Sequence, residues 1–186
     1  MKKILIITAA ALFSIAAFAA ETNSSPEQTE AKYTAAIEGR TADILKILAL
    51  SDTNKTVKVH DLLIAQYRAL NAWHDANDAK LKAAKADTNA VAQIRAPLKS
   101  LHAEFLSKLA ENLTPEQIEQ VKDKMTYGKV QFTFAGYQVA YPNLPEVHQQ
   151  KILELLKQAR EEAMDGGNAE EKTAFCFSGW TPCLER

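Results

Sequence analysis

NLTPEQIEQVKDKMTYG, residues 112–128, contains the signals for one complete helix. Thr114 is a side-chain cap, and Pro115 sits at the first helical position, where a missing N–H is harmless. Gln117, three residues after Thr114, completes a Thr-x-x-Gln capping box, and Leu113 can staple onto Ile118. Val121 and Met125 continue the apolar face, and Gly128 suits a left-handed terminus. A looser copy, NLPEVHQQKILELLKQA from Asn143, opens another helical stretch with Ile152, Leu155, Leu156, Ala159 and Ala163 inward. Gly166-Gly167 ends it. Two unequal copies are helix starts, not a solenoid repeat.

The rest of the chain reads in the same way. Ser25-Pro26 begins a helix with Tyr33, Ile37, Ile44 and Leu48 on one side, and Gly39 weakens it without ending it. Ser51 or Asp52 caps a second, lined by Val59, Leu63, Leu70 and Trp73 and running to about Lys85. Asp87-Thr88-Asn89 separates it from a third, with Val91, Ile94, Leu98, Leu101, Phe105 and Leu109 at bundle-seam spacing. Pro97 predicts a kink or a fresh start there. Over 129–142, Val130, Phe132 and Phe134 alternate, which predicts an extended segment or short strand, with a helical turn or two before Tyr141. From Asn168 no period is visible. The expectation is an all-α, up-and-down helical bundle of about five helices, with one irregular segment near 129–142, in a single domain over 20–186.

The first residues predict an export signal. Lys2 and Lys3 precede an apolar run from Ile4 to Phe18, and Ala17-Phe18-Ala19 offers a small-x-small cleavage step. A signal peptide over 1–19 would leave a periplasmic or secreted chain with no membrane span. The remaining 167 residues carry 20 basic and 23 acidic side chains, without a basic block for nucleic acid. Cys176 and Cys183 could close a small terminal loop by a disulfide in that compartment, or remain two free thiols.

Candidate chemistry concentrates in AQYRALNAWHDANDAK, residues 65–80. Tyr67, Asn71, His74 and Asp78 are spaced four, three and four and share a helix face. A phenol, an amide, an imidazole and a carboxylate suit a polar ligand, and the alternative is a solvated face. Trp73 and Asp75 flank them. Trp73 could stack on a sugar ring or sit in the core. His74 and Asp78 offer two metal positions, but His60, His102 and His148 have no fixed spacing to them, so neither metal nor cofactor is expected. Glu161, Glu162 and Asp165 could pair with His74 or Arg160, yet nothing sets two carboxylates on facing walls as glycoside hydrolysis requires. There is no phosphate loop, nucleophile elbow or catalytic cysteine, so no catalytic residue is assigned. Tyr127, Tyr137 and Tyr141, with Phe132 and Phe134, either form a binding region or cap one end of the bundle.

The combination of AQYRALNAWHDANDAK, LTPEQIEQVKDKMTYG, YPNLP and QAREEAMDGGNAEEK resembles an exported bacterial family, domain of unknown function 3826, from about Tyr33 to Lys172. The resemblance implies sugar binding alongside polysaccharide-degrading systems, without an established catalytic role. Its matching positions are Tyr67, Asn71, His74, Asp75, Asp78, Thr126, Tyr127, Gly128, Arg160, Met164 and Asp165. The ending AFCFSGWTPCLER departs from the family's aromatic, Tyr-Lys-Gly-rich continuation, as a truncation or reading-frame change would make it. LTPEQ alone is also similar to the Leu-Thr-x-x-Gln motif of Spy-type periplasmic chaperones, although capping explains it equally. The leading expectation is therefore non-catalytic binding of an oligo- or polysaccharide. A holdase or structural envelope protein is the alternative, and a polysaccharide-active enzyme the third reading.

Overall fold

The computed structural model describes residues 26–178, with side chains over 27–174. The expected signal peptide and the Cys176–Cys183 question lie outside the described side chains. Among the described residues seven helices follow in order: α1 Pro26–Leu48, α2 Thr53–Ala83, α3 Thr88–Ala110, α4 Pro115–Met125, α5 Lys129–Ala140, α6 Glu146–Met164 and α7 Ala169–Ser178. No strand occurs among the described residues. The all-helical class is as expected, with two more helices than the sequence suggested.

Local chemistry sets most boundaries. Asp52 and Asp87 cap α2 and α3, each accepting hydrogen bonds from two backbone amides. Thr114 and Gln117 form the full capping box of α4. Leu113 is buried, and Ile118 packs on the same core, as a hydrophobic staple requires. α3 passes through Pro97 without a fresh start. Pro97 and Gln93 are both on the exposed side, so water can serve the carbonyl that proline leaves unpaired.

Two expectations need correction. The segment over 129–142 is not a strand or an irregular loop, because α5 occupies most of it. With no partner strand, backbone groups here find hydrogen bonds only within a helix. Val130 and Thr133 then face inward, while Phe132 is left 75 % exposed. The stretch after Asn168, where no period was visible, is also helical over Ala169–Ser178. The Asn168 side chain accepts the Glu171 N–H, and Glu171 in turn accepts the Gly167 N–H. That Asn-x-x-Glu spacing was a readable helix start.

The core joins Ile37, Ile44 and Leu48 of α1 to Val59, Leu63 and Tyr67 of α2. Phe105 and Leu109 of α3, Val121 and Met125 of α4, and Met164 of α6 complete it. α1 packs on α2 and α4, α2 on α3, and α6 on α4, α5 and α7. Each fully buried aliphatic side chain contributes about 1.5–3 kcal/mol, so this cluster is the main stabilising element.

Candidate functional site

α4 ends in a way that shapes the surface beside it. The Gly128 N–H donates to the Asp123 carbonyl at 2.7 Å, and the Tyr127 N–H to the Lys124 carbonyl at 3.2 Å. This is the Schellman pattern, whose first residue beyond the cap is usually glycine. Here that residue is Tyr127, at φ 58°, followed by Gly128 at φ 63°. A left-handed backbone costs a non-glycine residue roughly 1–2 kcal/mol. The Tyr127 side chain is nonetheless 45 % exposed, so its burial does not account for the conformation.

Tyr127 borders a groove of about 530 Å³. Its apolar lining includes Ile44 and Ile47 of α1, Tyr67 of α2, Met125 of α4 and Tyr127 itself. Polar lining comes from Arg40, Asp43, Gln120, Asp123, Lys124, Gln131 and Lys172. The Arg40 guanidinium lies 5.9 Å from the Tyr67 ring centroid, a cation–π distance. Burial pushes the Tyr67 phenol up to about 12, so it is a neutral hydrogen-bonding group at any physiological pH.

Asp123 belongs both to the groove and to an ionic chain behind it. The buried Arg160 guanidinium donates to Asp123 at 2.5 Å and to Glu119 at 2.6 Å. Burial disfavours its charge, but these carboxylates outweigh that and hold its pKa above the ordinary value. The chain continues through Lys122 to Glu161 at 2.8 Å, and from Glu161 to His102 at 3.0 Å. His102 also meets Asp165, at 3.1 Å. The His74 Nε2 then lies 2.8 Å from the Asp165 carbonyl, and its Nδ1 2.8 Å from Asp78. Arg95 and Glu171 pair at 2.7 Å beside this end, linking α3 to α7.

The residues singled out in sequence are thus divided. Tyr67 and Tyr127 meet at the groove. His74, Asp78, Asp165 and Arg160 lie in the ionic chain, and His74 has both ring nitrogens engaged and only 4 % exposure. Asn71 donates to Asp75 on the exposed surface. Trp73 is half-buried and packs edge-on against the His74 ring. The sequence did not single out Arg40, Asp43, Gln120, Asp123, Lys124, Gln131 or Lys172. The Arg160 pairing with Glu119 and Asp123 had one signal, two carboxylates four residues apart on α4, but their partner lies on another helix.

The molecule is therefore an all-helical bundle protein, cross-braced by a partly buried ionic chain and bearing a tyrosine-lined groove. It matches the family described as "Protein of unknown function (DUF3826)" over residues 34–178, and the chain belongs to that family. None of the curated proteins compared is similar to it.

Proposed function

We propose that this protein binds carbohydrate without catalysis, in an exported setting linked to polysaccharide utilisation, and that the ligand occupies the groove between Tyr67 and Tyr127. The observation that carries this reading is the left-handed Tyr127: backbone strain is maintained at a half-exposed aromatic side chain that borders a groove. Aromatic faces suit the C–H faces of sugar rings, and the surrounding carboxylates, amides and cations suit hydroxyls. Arg160 fixes the Asp123 carboxylate, reducing what ligand binding must order.

Calorimetric titration against a panel of plant-cell-wall oligosaccharides tests this. Wild type should bind at least one member, and Tyr127→Gly should weaken that binding by about tenfold or more, some 1.4 kcal/mol. Asn71→Ala should bind as wild type, because its amide pairs with Asp75 outside the groove lining. No binding by wild type, or full binding by Tyr127→Gly, would reject the reading. A holdase remains the second reading, favoured by exposed Phe132, Val139, Tyr141 and Val147. Suppression of client aggregation without saccharide binding would favour it.

A further inference from the structure

Residues 130–145 contain no Asp, Glu, Lys, Arg or His, in a chain that is 24 % Asp, Glu, Lys and Arg. Most of that stretch is α5. One face of α5 is buried through Val130 and Thr133. Phe132, Ala135 and Val139 stand at i, i+3 and i+7 on the opposite face, the spacing of a helix-packing seam. Phe132 is 75 % and Val139 83 % exposed, and Tyr141 and Val147, in the turn and helix that follow, are exposed as well. A surface helix that is apolar on both faces lacks a neighbour among the described residues.

We propose that the neighbour is a second copy of this chain, with α5 pairing antiparallel to its own equivalent across a two-fold axis. The seam is self-complementary. Phe132 and Val139 lie symmetrically about the Ala135-Gly136 step, so the axis at that step sets each Phe132 against the partner's Val139. The two small residues then meet at the centre. A Cβ added at Gly136 would meet nothing within 4 Å in one copy, leaving room for close approach there. Such an interface is isologous, each residue meeting the partner's complement. The chain as a whole is slightly acidic, and a face without charge lets two copies meet without like-charge repulsion. A membrane-surface helix would instead carry Lys and Arg along a polar face, whereas α5 has only Lys129, at its first position. An unfolded client would be better held by a concavity than by the outer face of a helix about 18 Å long.

The exposed apolar side chains amount to on the order of 500 Å² per copy, about 1,000 Å² in a dimer. That is below the range of stable specific interfaces and in the range of weak ones, so the dimer should be concentration-dependent. Sedimentation velocity of the purified protein from about 1 to about 200 μM should show monomer giving way to dimer. Val139→Lys should remain monomeric and, at about 1 μM where wild type is also monomeric, keep the wild-type melting midpoint, since this side chain packs on little within its own chain. Two doubly substituted chains fix the register. Phe132→Lys with Val139→Lys, and Phe132→Glu with Val139→Glu, should each be monomeric alone and dimerise when mixed. A wild type that stays monomeric throughout overturns the proposal. So does a dimer indifferent to Val139→Lys, a mixture that fails to pair, or a monomer that uses this face to bind lipid vesicles or an unfolded client.

Discussion

Tyr127 places a ring where glycine would have no steric penalty, and this has a measurable signature. Within a regular helix, alanine is more stabilising than glycine; at φ 58° the order should reverse. Tyr127→Gly is therefore expected to be more stable than Tyr127→Ala by about 1 kcal/mol in urea denaturation. Both variants should lose saccharide binding, because both lack the ring. Equal stabilities would show that the left-handed backbone is not a source of strain. Gly167 is the opposite case, a glycine required by a neighbour. A Cβ there would approach the His74 ring to 2.8 Å, and that ring is held at both nitrogens. Gly167→Ala should therefore destabilise the fold by about 1–3 kcal/mol, read as a lower thermal midpoint. The sequence showed Gly166-Gly167 only as a helix end; the contact with a residue on α2 is a property of the folded chain.

Among the helices, α4 has the most complete start, and its capping box is a direct target. Thr114→Ala removes the acceptor for the Gln117 N–H and should lower stability by about 1 kcal/mol, with saccharide binding unchanged once folding is matched. Binding lost at unchanged stability would make the Thr-Pro-Glu-Gln step functional. Caps of this kind are why α2 to α4 were legible, since Asp and Thr act within three or four residues of their own position, while α1 and α6 were legible from a proline at the start and an apolar face. α5 was not legible for a related reason. Val130, Phe132 and Phe134 have the composition and alternation of a strand, but strand formation depends on a partner, and none is present among the described residues. α7 was obscured by its lack of apolar periodicity, although Asn168 and Glu171 already marked its start.

Across the whole molecule, the ionic chain couples stability to pH. Hydrogen bonds to Asp165 and then Glu161 raise the His102 imidazole to about 9 from its ordinary 6.5. Its contribution is complete below 6.5 and is lost as pH rises through about 9. Burial alone would raise Glu161, but hydrogen bonds from His102 and Lys122 outweigh it and bring the carboxyl from 4.5 to about 2. That contribution is present above 4.5 and fades as pH falls toward 2. From these two groups stability should be greatest between 4.5 and 6.5, and His102→Gln should reduce the alkaline decline in denaturation midpoints. Of the candidate site, the sequence exposed Tyr67 and Tyr127 but not their meeting. They are sixty positions apart, on helices whose packing brings them to one groove, whereas the shared helix face of Asn71, His74 and Asp78 could be read directly. The face that was easiest to see contains an internal latch, and the groove had to be assembled from α1, α2, α4, α5 and α7. The most direct test is therefore where a ligand sits. Backbone amide chemical shifts should be followed by NMR as an oligosaccharide identified by calorimetry is added. Perturbations should cluster at residues 40–47 and 123–131, with the surface around Asn71 and Asp75 unchanged. Perturbations centred on Asn71, Asp75 and Asp78, with the groove silent, would contradict the assignment.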